Sequence, residues 1–209
     1  PIVSTLMGLG AAPAQSERML GMLGMHGTRA ANIAMQRCDL VIAVGVRFSD
    51  RALGKAETFA KGAKVLHIDI DRAEINKNVS TDLHITGDAR VVLELLLARV
   101  SQKNHEQWMT QARSMMEDYV NDEAFEPRKI LKGMAAIAPD MTVATDVGQH
   151  QMWTAQHFPF HRVRQLITSG GLGTMGFGFG AAMGASVGTE KCVALVTGDG
   201  SFRMNLTEL

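Results

Sequence analysis

Short apolar runs that break off in glycine or an acid constrain this fold more than any other feature of the chain. "DLVIAVGV" (Asp39 to Val46), "KVLHIDID" (Lys64 to Asp71) and "LHITGD" (Leu83 to Asp88) read as strands, with helical patterns over about 28–37, 72–78 and 89–100. Strands that are apolar throughout are buried on both faces, and joining them through helices makes them parallel. The expected fold class is therefore α/β, with open parallel sheets flanked by helices.

The pattern breaks between Ser101 and Pro127, where the chain is polar, charged and free of strand signals. That stretch reads as a connecting helix and linker. A second alternating unit follows. "PRKILKGMAAIAP" is a helix with proline near its start. "MTVATDVG", "RQLITSGG" and "KCVALVTGDG" are strands, and "QHQMWTAQHF" and "GFGFGAAMGASVG" are the helices between them. The expected organisation is a unit over 1–100, a linker over 101–127 and a unit over 128–209. The two units are not expected to share a sheet. The chain opens on "PIVSTLMGLG", apolar and strand-like with no initiator methionine, which suggests a fragment of a longer polypeptide in which both units are truncated.

Formal net charge is zero and the pI is about 7.5, which offers no electrostatic footprint for nucleic acid or an acidic membrane surface. No apolar run reaches the roughly 20 residues that span a bilayer, and no signal peptide is expected. Cys38 and Cys192 lie far apart at the edges of apolar runs and are expected to be buried, reduced thiols, as in a cytoplasmic protein.

Ligands of open α/β sheets sit beyond the carboxyl ends of the strands. In the second unit those ends read "DVGQHQMW", "TSGGLGTMGFG" and "TGDGSF". Gly170, Gly171, Gly173, Gly176 and Gly178 let backbone approach a ligand and expose its N–H groups. Asp199, between two glycines, can face a divalent cation shared with phosphate. Each loop alone has a plainer reading: glycines make tight turns, Asp-Gly is a common turn, and a lone His150 is more often structural. Three such loops on successive strands favour ligand binding. In the first unit, glycine and histidine precede a helix and acids end two strands, a pattern suited to ribose and pyrophosphate. No GxGxxG is present. Met22 and Met25 read as core rather than cofactor contacts, and "RFSDR" taken alone as a surface ion-pair cluster.

Together, "TLMGLG", "GMHGTRAAN", "DLVIAVGVRFSDR", "HIDID", "TDVGQHQMW", "TSGGLGTMGFG" and "GDGSF…MNLTEL" resemble the large, catalytic subunit of the acetolactate synthase (acetohydroxyacid synthase) family. The resemblance runs from Pro1 to Leu209. It implies most of a middle FAD-binding domain and the first part of a thiamin-diphosphate-binding domain. The activity implied is condensation of two 2-oxo acids with loss of CO2, in branched-chain amino-acid biosynthesis. The cofactors implied are thiamin diphosphate, Mg²⁺ and a mainly structural FAD. The partners implied are 2-oxo acids, further copies of the subunit in a dimer or tetramer, and a regulatory small subunit. Alternatives are a sister enzyme of the glyoxylate carboligase or pyruvate oxidase type, and a non-catalytic nucleotide-binding fragment.

By the same resemblance, Gln149, His150, Gly173, Met175, Gly198, Asp199, Gly200 and Ser201 contact thiamin diphosphate, with Asp199 a Mg²⁺ ligand. Leu6, Gly24, His26, Gly45, Arg47, Asp69, Ile70 and Asp88 line FAD. Asp50 and Arg51 meet the substrate, Arg51 offering a planar fork to a carboxylate. No catalytic residue falls within the chain, because the family's activating glutamate lies in an N-terminal domain. Asn205 follows Asp199 too closely to complete the metal site, and is expected inside a helix begun by "MNLTEL". The chain alone is thus expected to bind thiamin diphosphate weakly and turn over no pyruvate. Two positions depart from the family: Gly180 replaces a proline, and Ser49 stands where Asp is more usual.

Overall fold

The computed structural model describes residues 1–115 and 126–209, so part of the expected linker lies outside the described residues. In chain order the strands are β1 (Ile2–Ser4), β2 (Met19–Met22), β3 (Leu40–Val44), β4 (Lys64–Asp69), β5 (Leu83–Thr86), β6 (Thr142–Thr145), β7 (Leu166–Ile167) and β8 (Val193–Val196). The helices are α1 (Arg29–Arg37), α2 (Asp50–Leu53), α3 (Ala89–Leu97), α4 (Glu106–Ser114), α5 (Glu126–Ile137), α6 (Gln149–His157), α7 (Phe177–Thr189) and α8 (Asp199–Met204). The described strands form three separate sheets, β1-β2, β3-β4-β5 and β7-β6-β8, and every pairing in them is parallel. The α/β class follows directly.

The chain divides into two compact units: Pro1–Met22 with Asp118–Leu209, and Leu23–Glu117. This grouping differs from the sequence reading in the first 22 residues. β1 pairs with β2, a strand the apolar pattern did not reveal, rather than with β3, β4 or β5. The loop between them packs on the C-terminal half: Ala14 donates to the Phe160 carbonyl at 2.9 Å.

In the Leu23–Glu117 unit, α1 begins where the Thr28 hydroxyl accepts from the Ala31 amide at 3.1 Å, a side-chain N-cap. Ala30, Ala31 and Ala34 are buried on it. Part of the expected linker is α4, which packs on α1 and buries Met109 and Ala112. One face of the sheet closes around Val41, Ala43, Val65, Phe48, Phe59 and Ala60. On the other, Ile68 is fully buried, but Leu40, Ile42 and Leu83 toward the strand starts are exposed. The expected cover on both faces is therefore complete on only one among the described residues. The expected helix over 72–78 is a single 3-10 turn, Arg72–Glu74. Asp71 caps it by accepting from the Ala73 amide, and Asn76 ends the stretch at φ 60°, outside helical space.

In the other unit, β6 is central and buried along its whole length. α7 packs across β6 and β8, and α6 packs on α5 and β2. Val143, Phe158, Phe160 and Ala135 form the core, the two rings 4.8 Å apart. Gln165, fully buried, staples the starts of β6 and β7: its amide donates to Pro139 O at 2.6 Å and Met141 O at 3.2 Å, and its oxygen accepts from the His161 amide at 3.0 Å. Only Leu166–Ile167 of "RQLITSGG" pairs as a strand. No helix among the described residues is long and apolar enough to cross a membrane.

Candidate functional site

From β6 the chain passes to β7 on one side and then over to β8 on the other. Such a reversal opens a crevice beyond the carboxyl ends of the strands. Asp146 stands at that end of β6, followed by the turn into α6. Gln149 is the first residue of α6 and exposed, with His150 next to it. Cβ atoms built on Gly148 and Gly198 would come within 3.2 Å of the His150 Nδ1. His150 therefore lies between its own turn and the "TGDGSF" loop. Its Nε2 is buried and has no hydrogen-bond partner among the described residues. Burial lowers its pKa, partly opposed by the nearby Asp146 carboxylate, so the ring is held toward its neutral form.

The loop after β7 turns at Gly173, φ 67°, whose amide reaches Ser169 O at 3.2 Å. Thr174 donates to the Ser169 hydroxyl at 3.0 Å. Met175, 46% exposed, places its Cε 3.9 Å from where a Cβ on Gly200 would stand. The loops after β7 and β8 thus meet. Asp199 is exposed and is the first residue of α8, so that helix starts well before the "MNLTEL" segment; Asn205 caps its end, and the Asn205 side-chain amide donates to Gly176 O. Ser201 is buried with its hydroxyl 3.4 Å from Val147 O.

The expected thiamin-diphosphate residues therefore gather around one set of strand ends, and an unpartnered buried imidazole nitrogen beside glycine turns fits a polar ligand. A metal would find one carboxylate here, Asp199. No group of three His, Cys, Asp or Glu able to hold a metal exists among the described residues.

The expected FAD residues divide: Leu6 belongs to the unit containing β6, the other seven to Leu23–Glu117. In the latter, Gly24 has φ 104°, and a Cβ there would lie 2.2 Å from Arg51 O. Only glycine allows that approach. Met25 donates to Arg51 O at 2.9 Å, and Asn32 grips Gly24 from both sides, accepting from its amide at 2.9 Å and donating to its carbonyl at 3.0 Å. The turn carrying Gly24 and His26 is thus joined to the one carrying Asp50 and Arg51, both exposed. Gly45, Asp69 and Asp88 lie at the ends of β3, β4 and beyond β5; Gly45 donates to Ile68 O at 2.8 Å and Gly87 to Asp69 O at 2.9 Å. A Cβ on Gly45 would meet open space, room for a ligand at the strand ends. Arg47 and Ile70 are exposed. Asp88 is committed to the N-cap of α3, accepting from Arg90 and Val91. Asp69 accepts from the Asp71 amide at 2.8 Å. His67 is fully buried, its Nε2 3.7 Å from Asp69 Oδ2, too far for a hydrogen bond.

Three positions escaped sequence reasoning. Asp146, 1% exposed, accepts from the amides of Val147, Gly176 and Gly178. Burial alone would raise its pKa, but those amides and the Ser201 hydroxyl hold it below the ordinary carboxylate range. Gln151 donates to the Thr168 hydroxyl at 2.7 Å, which Thr145 also reaches at 2.7 Å, fixing α6 to the ends of β6 and β7. Two residues apart on a helix, Gln149 and Gln151 point about 200° apart, so an exposed first glutamine makes the second an inward one. Asn32 gave no signal within its helical pattern.

The sequence agrees with this architecture. Residues 1–96 match the family described as "Thiamine pyrophosphate enzyme, central domain", and residues 146–209 match "Thiamine pyrophosphate enzyme, C-terminal TPP binding domain". The chain belongs to the thiamine pyrophosphate enzymes. Within them it is similar over its whole length to acetolactate synthase large subunits. It is 49% identical to the isozyme 2 large subunit of Escherichia coli, 45% to the isozyme 3 large subunit of the same organism, and 44% to the probable large subunit of Methanocaldococcus jannaschii. Each comparison covers 100% of this chain and 38–39% of the relative, so the chain spans about two fifths of their length.

Proposed function

We propose that this chain is part of an acetolactate synthase large subunit, which joins two 2-oxo acids with loss of CO2, and that the strand ends around β6 hold thiamin diphosphate. The observation that carries the reading is the buried, unpartnered His150 Nε2 between two glycine turns, at the strand where the sheet order reverses.

Thiamin diphosphate, when bound, supplies the carbanion chemistry, and the protein supplies position and surroundings. Gln149 and His150 contact the cofactor, with His150 offering a neutral imidazole. Gly173 and Met175 would support the bound cofactor from the loop after β7. The turn Gly198–Ser201 receives the diphosphate, and Asp199 gives Mg²⁺ one carboxylate. A single carboxylate suits Mg²⁺ that keeps water and shares phosphate oxygens.

The Leu23–Glu117 unit carries an FAD-lining surface made of Gly24, His26, Gly45, Arg47, Asp69, Ile70 and Asp88; Leu6, also expected to line FAD, belongs to the other unit. Arg51, with Asp50, meets the 2-oxo acid carboxylate. The family matches over 1–96 and 146–209 fall within the proposed limits 1–100 and 128–209, joined by 101–127, while the fold groups residues 1–22 with the second of these. Further copies of the subunit and a small regulatory subunit are the partners proposed, and the cytoplasm its location.

Product analysis of the complete polypeptide with pyruvate, Mg²⁺ and thiamin diphosphate tests the reading. Acetolactate is the expected product. Acetyl phosphate or tartronate semialdehyde (from glyoxylate) in its place would overturn it.

A further inference from the structure

The Asp146 carboxylate bonds to both ends of one helical start. Gly176 donates to Oδ1 at 2.9 Å and Gly178 to Oδ2 at 2.8 Å, while Oδ1 also accepts from Val147 at 2.8 Å. Both oxygens are therefore used, and the amino end of the 13-residue α7 already faces an anion from the protein. That end is not free for a diphosphate.

Three further contacts extend the same joint. Ser201, the second residue after Asp199, is buried with its hydroxyl 3.4 Å from the carbonyl of Val147, the residue after Asp146. Asn205, at the far end of α8, donates to the Gly176 carbonyl. Phe179 and Phe202 meet edge-to-face with centroids 5.9 Å apart. Met175 precedes Gly176 directly, so fixing the Gly176 amide fixes the end of the Gly173–Met175 turn. The Met175 methyl in turn lies over Gly200.

We propose that Asp146 is a positioning residue for the cofactor site: by clamping the Gly176 and Gly178 amides it holds Met175 over the Gly198–Ser201 turn before a ligand arrives. The inference rests on the reading of these loops as a thiamin-diphosphate site. It adds that Asp146 sets their spacing without touching the cofactor.

The test uses the complete polypeptide with Asp146→Ala and the milder Asp146→Asn, which keeps one acceptor oxygen. Gln165→Ala is the control, because Gln165 is equally buried and hydrogen-bonded at the opposite ends of the strands. Three quantities are read: amide exchange over 173–178 without ligand, the Kd for thiamin diphosphate with Mg²⁺, and Tm. Asp146→Ala is expected to speed exchange and raise the Kd by about ten- to a hundredfold, the scale of losing charge-assisted bonds. Asp146→Asn is expected to do both to a smaller degree, and remains readable if the alanine variant fails to fold. Gln165→Ala is expected to lower Tm with the Kd unchanged. An unchanged Kd in the Asp146 variants, or an equal rise in Gln165→Ala, overturns the proposal alone. Absence of thiamin diphosphate binding in the unsubstituted protein overturns the site reading and the proposal together.

Discussion

Gly178 rests directly on Asp146: a Cβ built at Gly178 would stand 2.7 Å from the Asp146 nitrogen and 2.9 Å from the Thr145 carbonyl carbon. Those neighbours are the backbone of a buried central strand and have no room to shift. Two residues further along the same helix, a Cβ on Gly180 meets nothing within 4 Å.

The two glycines are therefore expected to respond oppositely to the same substitution. Gly180→Ala should stabilise by about 0.5–1 kcal/mol, because alanine loses less backbone entropy in a helix. Gly178→Ala should destabilise by about 1–3 kcal/mol, the range for overpacking a core. Denaturant unfolding of the two variants decides it, and equal midpoints would refute the packing account.

In the complete polypeptide, Arg51→Ala is expected to raise the 2-oxo acid concentration needed for half-maximal rate more than it lowers flavin content. The side chain is exposed, whereas the contact to the Gly24 turn uses the Arg51 carbonyl, which alanine retains. Steady-state kinetics beside a flavin absorbance spectrum separates the two effects. Lost flavin with unchanged substrate dependence would reverse the assignment.

Asn32→Ala leaves both the amide and the carbonyl of Gly24 without their partner. The expected cost is about 1–3 kcal/mol, the penalty for stranding polar groups. Unlike Arg51→Ala, this change is expected to lower flavin content, because it frees the turn carrying Gly24 and His26. Thermal unfolding and bound flavin are the two readouts, and full flavin retention would count against that turn as an FAD contact.

His157 links stability to pH. Burial lowers its pKa from 6.5, and Arg128 and Lys132 lower it further. The folded state thus resists protonation. Its contribution is fully present above the ordinary histidine value and is lost as pH falls from there through the folded one. His157→Gln is expected to flatten part of the fall in Tm between about pH 7.5 and pH 5.5. His150 is shifted the same way, so only the difference between variant and parent isolates His157. Parallel Tm curves would exclude the linkage.

The legible parts of this molecule were those written in consecutive residues. β3, β4 and β6 are apolar runs, and the glycine loops lie beside the strands they follow. The illegible parts join residues distant along the chain. Asp146 reads as one more acid at a strand end until the amides of Gly176 and Gly178 are seen on it. Asn32 carries no local mark of its hold on Gly24. The opening stretch reads as strand-like, as β1 is, but its partner β2 is short, contains a glycine and lies across a loop, so no periodicity announces it. The 72–78 segment failed as a helix for a local reason that was available: Asp71 and Asn76 favour a capped turn and its end.

The exclusively parallel pairing also bears on how the chain acquires its shape. A hairpin can zip from a tight turn, but a parallel ladder waits until its crossover has closed. Thr142 lies opposite Val193, and Asp146 reaches Gly178 across 32 positions of sequence. Such distant pairings make folding slow relative to helical chains of similar size. The carboxylate clamp cannot close before α7 has been synthesised and docked. The loops held by that clamp are therefore expected to take their final form only once α7 has docked on β6 and β8.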